Sequence, residues 1–175
     1  MPIDTSIDFV AINIAVITIS DSRTLENDTS GDTLEKRINE AGHHMMKRTI
    51  IPDDVSQIKE TLESMSKLKE IDCIITTGGT GLTGRDTTPE AVKEIANKHI
   101  DGFGELFRQV SFNKIGTSAI QSRAVAALIN STYVFCLPGS TGACKDGWDE
   151  ILKYQLDIRH KPCNFVEIMP RLNEK

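Results

Sequence analysis

Two carboxylates, Asp53 and Asp86, stand in segments that otherwise look built for an anion. Asp86 falls near the end of the stretch DCIITTGGTGLTGRDTTP, Asp72 to Pro89, where Gly78, Gly79, Gly81 and Gly84 lie within seven residues. Glycine removes the side chains that would keep successive backbone N–H groups from converging on phosphate oxygens, and the helix start that follows adds partial positive charge. Asp53 comes directly after the apolar pair Ile50-Ile51 and Pro52. A carboxylate beside a phosphate is repulsive unless a cation lies between them. Magnesium is a small hard cation held by one or two carboxylates and by the substrate's own phosphate oxygens. The pair therefore points to a metal–nucleotide substrate. Taken alone, Asp53 would also suit a helix N-cap, and Asp86 would suit the dipole of the next helix or a local pair with Arg85.

Two further polar breaks follow apolar runs: Ser20-Asp21-Ser22-Arg23 near the start, and Pro138-Gly139-Ser140-Thr141-Gly142 near the end. Either would also pass as an ordinary turn. Ser122, beside an Arg123 that could serve a phosphate or sit solvated on the surface, is a further candidate for substrate binding. Gly79 to Gly84 matches GxGxxG, but after the third strand rather than the first. No acidic strand end follows about twenty residues on, and no Gly-Lys-Ser/Thr completes a P-loop. His43 and His44 are adjacent rather than three or four apart on a helix, which makes a poor metal pair. Cys73, Cys136, Cys144 and Cys163 form no CxxC motif, and Cys73 and Cys136 fall in apolar strand-like runs.

The elements that must position these residues are legible as periodicities. Ala11 to Ile19 (AINIAVITI) is an almost continuous β-branched run, as in a parallel strand buried on both faces. TSGD from Thr29 reads as a cap into a helix carrying Leu34, Ile38 and Ala41, stopped by Gly42. His43 to Ile51 reads as a second strand. Val55, Ile58, Leu62, Met65 and Leu68 then make an amphipathic helix, with Asp54 and Gln57 as a capping box. Cys73 to Thr77 is the third strand. Thr88 caps the next helix, with Pro89 in its first turn and Ala91, Val92, Ile95 and Ala96 along it. A further helix carries Phe103, Leu106, Phe107 and Val110. Ser122 to Ile129 is ambiguous, because its alanines favour helix, whereas Thr132 to Leu137 is plainly strand and Asn130-Ser131 could be a hairpin turn. The last long helix has Cys144, Trp148, Ile151 and Leu152 on one side, and the tail from Lys161 wraps the surface. Alternating strands and helices make a parallel α/β sheet, and ligands bind beyond the carboxyl ends of such strands.

Composition bounds the rest. The chain of 175 residues, 39% hydrophobic and 26% charged, is expected to form a single globular domain with a core over about residues 12–158, a leader at 1–10 and a tail at 159–175. A net charge of −5 argues against a nucleic-acid groove or a membrane-surface patch, both of which need clustered cations. An anion must then rely on local dipoles or a metal. With no signal pattern and no membrane-length apolar run, the expected compartment is the cytoplasm.

TTGGTG followed by RDTTPEA, with VITISDSR before them and LPGST after them, resembles the molybdenum-cofactor biosynthesis proteins of the MoaB/Mog type. The resemblance runs from about Ile12 to Ile158, and GFGELFRQVSFNKIGTSAIQSRAVA with the closing RHKPCNF looks more like the MoaB branch than the Mog branch. It implies a three-layer α/β/α fold with a mostly parallel central sheet and a small β-hairpin extension, which would make Ser122–Leu137 two strands. It also implies homotrimers, or hexamers as dimers of trimers. The activity implied is adenylylation of molybdopterin by Mg-ATP with release of pyrophosphate, or, as the alternative, molybdopterin binding or carriage without catalysis. Asp53 and Asp86 match the family's two functional aspartates, which serve magnesium and transition-state geometry. Thr76, Gly78, Gly79, Thr80 and Gly81 match its nucleotide- and pterin-binding loop, Ser20, Asp21 and Ser22 its first-strand turn, and Pro138, Gly139 and Ser140 a second pterin-side turn.

Overall fold

The computed structural model describes residues 3–174, so Met1 of the leader, Pro2 and Lys175 of the tail lie outside the described residues. Six strands form the centre: β1 (Asn13–Ile19), β2 (His44–Ile51), β3 (Cys73–Thr77), β4 (Lys98–His99), β5 (Val125–Ile129) and β6 (Thr132–Leu137). They lie side by side in the order β2-β1-β3-β6-β5-β4. The first four in that order run parallel, and β5 and β4 are antiparallel to their neighbours. The register sets Thr18 beside Thr77 and Thr77 beside Leu137, while Ile19 sits beside Ile51. Ser20, Pro52, Gly78 and Pro138 therefore leave the sheet along one edge. The chain passes from β1 to β2 on one side and returns to β3 on the other, which opens a crevice at that edge.

Successive side chains alternate between two cores, as strand geometry requires. Ile14, Val16, Cys73, Ile75, Tyr133 and Phe135 face one side, where α1 (Thr29–Glu40) brings Leu34 and Ile38. On that same side α4 (Asp101–Ile115) adds Phe103 and Phe107, and α5 (Thr141–Gly147) adds Cys144. Ala15, Ile17, Ile74, Val134 and Cys136 face the other side, against Ile58 and Leu62 of α2 (Val55–Ser66) and Ala91 and Val92 of α3 (Thr88–Ile95). Fully burying each such aliphatic or aromatic side chain contributes about 1.5–3 kcal/mol relative to exposure. The layers are α/β/α.

Several local expectations are corrected. Asp28, not Thr29, caps α1, with its carboxylate accepting from the Gly31 N–H at 2.9 Å. Thr87 occupies the N-cap of α3 without a side-chain capping bond, and Thr88 instead turns its hydroxyl to the Gly78 carbonyl. Leu68 lies past the end of α2 and is exposed. The alanine-rich run, ambiguous from composition, is strand β5, as the family resemblance implies: Ala126 and Ala127 are buried in the cores on opposite faces of the sheet, and tertiary packing outweighs helix propensity there. Asn130 and Ser131, at φ 48° and 73°, form the two-residue turn into β6. The hairpin thus continues the main sheet, with β4 added at its edge. The last long helix contains a π turn at Trp148–Leu152. The tail does more than wrap the surface, since Phe165 packs on Tyr133 and Phe135 with ring centroids 4.8 and 5.3 Å away.

One buried ion pair ties β1, α1 and β2 together. The Asp28 carboxylate accepts from the Thr18 hydroxyl at 2.7 Å and from Arg48 Nη2 at 2.9 Å. Arg48 Nη1 also reaches Asp32 and Glu35 at 2.7 and 2.9 Å. Burial opposes the Asp28 charge, but the bonds from Thr18, Gly31 and Arg48 outweigh it and hold the carboxyl below its ordinary pKa.

Candidate active site

The floor of the crevice is backbone packed on backbone. Gly78 leaves β3 at φ 109°, and a Cβ there would sit 2.1 Å from the Ile19 carbonyl oxygen. Its N–H donates to the Leu137 carbonyl at 3.0 Å, and a Cβ on Gly139 would come within 3.2 Å of the Gly78 Cα. Gly79, at φ 64°, continues the left-handed path that L side chains rarely adopt. Thr88 clamps this loop to α3, its N–H donating to the Gly79 carbonyl at 3.0 Å and its hydroxyl to Gly78 at 3.1 Å.

The two carboxylates lie against the α-carbons of that same loop. A Cβ on Gly79 would meet Asp53 Oδ2 at 2.7 Å, and one on Gly81 would meet Asp86 Oδ2 at 2.7 Å. The helix cap is Asp54, which accepts from the Gln57 N–H at 2.9 Å. Asp53 is therefore free of that task, and its Oδ1 instead accepts from the Thr87 N–H and hydroxyl at 3.1 and 2.8 Å. Burial raises its pKa most, the Asp86 and Asp21 charges raise it further, and the Thr87 bonds only partly offset this. Asp86 behaves oppositely. The Thr83 hydroxyl and N–H, donating at 2.6 and 2.9 Å, lower its pKa against a smaller opposing effect of burial.

Arg85 does not pair with its neighbour Asp86. Its Nη2 and Nε reach Asp21 Oδ2 at 2.6 and 3.1 Å, while Asp21 Oδ1 accepts from the Asp53 N–H at 3.3 Å. Arg123 is neither solvated nor turned to a ligand. It braces the glycine loop from behind, donating to the carbonyls of Gly81 and Asp86 at 2.7 and 2.8 Å and pairing with Glu90. His43 is buried against Phe9 and Trp148, and its Nδ1 accepts from the Ile12 N–H.

These groups surround a cavity of about 740 Å³, a size suited to a small-molecule ligand. Ser20, Asp21, Ser22, Asp53, Gly78, Gly79, Thr80, Gly81, Asp86, Ser122, Pro138, Gly139 and Ser140 all line it. Thr76 does not. It lies inside β3, fully buried one pair below the edge, with no partner for its hydroxyl. Unanticipated from the sequence, Phe107, Ser111 and Ile115 of α4 form one wall, with Gln121 and Asp146 nearby. Their spacing of four puts them on one helix face, but their mixed polarity gave no signal of a ligand wall.

A model for a "Probable molybdopterin binding domain" matches residues 15–158. The chain belongs to the MoaB/Mog family of molybdopterin-binding domains. Molybdenum cofactor biosynthesis protein B of Escherichia coli strain K12 is 42% identical over 160 residues, covering 91% of this chain and 94% of that protein. A probable molybdopterin adenylyltransferase of Methanocaldococcus jannaschii is 40% identical over 141 residues, covering 77% and 83%. A crystal structure of a molybdenum cofactor biosynthesis protein B superposes with a TM-score of 0.85 at 36% identity, covering 95% of this chain and 98% of that one.

In this MoaB/Mog-family chain the donor set fits a magnesium ion brought in with phosphate. Among the described residues no three metal-ligating side chains converge, so there is no cage of the kind a tightly held transition metal needs. Two carboxylates beside a glycine-rich loop are the sparse protein contribution that magnesium takes when substrate oxygens and water complete its shell.

Proposed function

We propose that this chain works in molybdenum cofactor biosynthesis, adenylylating molybdopterin with Mg-ATP: the terminal phosphate of molybdopterin attacks the α-phosphate of ATP and pyrophosphate leaves. One observation carries the reading. Asp53 and Asp86 line a single cavity, and each carboxylate is seated against a glycine α-carbon of the same loop, Asp53 at Gly79 and Asp86 at Gly81. The nucleophile is already an anion, so no serine–histidine pair is required, and the chain's task is positioning and charge control. Bound magnesium would supply neutralisation of phosphate charge at the two aspartates. Above the floor formed by Gly78, the residues Gly79, Thr80 and Gly81 offer backbone to phosphates, while Ser20, Ser22, Ser122, Pro138, Gly139 and Ser140 shape the walls against nucleotide and pterin. Thr76 supports the loop from within the sheet.

The proposed setting is the cytoplasm, in keeping with four free cysteines and with the absence, among the described residues, of a helix long and apolar enough to cross a membrane. The proposed assembly is a homotrimer or a hexamer. Phe112, Ile115 and Ile120, exposed at 58%, 58% and 83%, make an apolar surface along α4 and the turn after it that a partner copy would cover.

Incubation with molybdopterin and Mg-ATP tests the activity. Pyrophosphate release that disappears in Asp86→Asn supports it, whereas tight pterin binding without turnover in the parent chain would leave a carrier.

A further inference from the structure

The cavity proposed to take a triphosphate is lined by four acids, Asp21, Asp53, Asp86 and Asp146, and by one cation, Arg85. That cation is occupied. Its guanidinium places two nitrogens on Asp21 Oδ2 across the mouth, linking the turn after β1 to the loop that ends in Asp86. Both partners are open to water, with side chains 68% and 44% exposed, so neither is locked in place by packing. Asp21 has one further contact, the 3.3 Å bond that its Oδ1 accepts from the Asp53 N–H.

We propose that Asp21 is a resident stand-in for phosphate, holding Arg85 over the mouth until a polyphosphate displaces it. The proposal rests on the adenylyl-transfer reading for the identity of the ligand. Arg85 is then a positioning residue for the polyphosphate and Asp21 sets a threshold. An exposed ion pair is weak enough to exchange, and a pyrophosphate or triphosphate offers the fork several anionic oxygens and a greater total charge where the carboxylate offers one charge. A ligand with a single phosphate competes less well. Until the exchange, Asp21 also keeps the guanidinium from pairing with Asp53 or Asp86.

The test is calorimetric titration of the full chain, without molybdopterin, using inorganic pyrophosphate, Mg-ATP and AMP as probes. Arg85→Gln should weaken pyrophosphate and Mg-ATP binding roughly ten-fold, and Arg85→Lys should restore part of it. Asp21→Asn keeps an oxygen for the Asp53 N–H yet releases Arg85, so it should tighten pyrophosphate roughly two- to five-fold and narrow the gap between pyrophosphate and AMP. In Arg85→Gln the same Asp21→Asn change should bring no gain, because the competition acts through the arginine. The stand-in role is overturned if Asp21→Asn weakens binding, or if its gain persists without Arg85. Pyrophosphate binding that follows this pattern with no pyrophosphate release in the presence of molybdopterin would keep the exchange and sink the adenylyl-transfer reading. Turnover combined with binding indifferent to both positions would do the reverse.

Discussion

Two arginine–aspartate pairs flank β1, and they differ in almost everything but chemistry. Asp28–Arg48 spans 2.9 Å with side chains 1% and 14% exposed, whereas Asp21–Arg85 spans 2.6 Å with side chains 44% and 68% exposed. The shorter pair is the looser one. Asp28 also accepts from Thr18 and caps α1, and Arg48 spreads over two more acids, so neither can leave without stranding a buried charge. Asp21 and Arg85 would each find water at once. Surroundings, not distance, decide which pair fixes the fold and which is free to trade partners.

The largest expected effect lies in the buried pair. Asp28→Ala should lower stability by about 3 kcal/mol, since it strands Arg48 and uncaps α1. Urea unfolding reads this, and a much smaller loss would put the two pairs in one class. Acid should then single out the same residue. The depressed pKa of Asp28 contributes stability that is complete above its unfolded value of 3.8 and is lost as pH falls through the lower folded value. Asp28→Asn should therefore unfold with a shallower pH dependence below about 4.

Asp53 should behave in the opposite sense. Because its folded pKa is raised, stability declines as pH rises through that value, and the charge is a burden at neutral pH. Asp53→Asn keeps an acceptor for Thr87, so it should raise the urea midpoint at pH 7 while abolishing pyrophosphate release. A lower midpoint would mean that the carboxylate is structural. The smallest effect belongs to the open pair: Arg85→Gln should leave the urea midpoint where it was, and a clear shift would show that the mouth contact holds the fold after all.

How far the sequence revealed this arrangement follows from the range of each signal. Periodicity identified β1, β2, β3, β6 and most helices, because alternation and 3.6-residue repeats are written locally, whereas the two-residue β4 is too short to carry such a signal. The gathering of Asp53, Asp86 and the two glycine turns was legible because each directly follows an apolar strand, and parallel strands deliver their ends to one edge. Partners were not. That Arg85 would choose Asp21 over adjacent Asp86, and that Arg123 would brace carbonyls behind the loop, depends on contacts 64 and 42 residues apart in the chain. Composition left Ser122–Ile129 ambiguous, since alanine suits a helix and a packed strand equally well, and the resemblance, which makes Ser122–Leu137 two strands, is borne out by β5 and β6.

The backbone floor at Gly78 and Gly139 has a consequence for redesign. At Gly78 the first added carbon would meet a main-chain oxygen at 2.1 Å that cannot rotate aside, and at Gly139 it would press on the Gly78 α-carbon at 3.2 Å. Depth is thus a fixed dimension of the molecule, like the base of a mould. Any retailoring toward a different guest must be cut from the sides, where Ser111, Ile115 and Gln121 present replaceable surfaces.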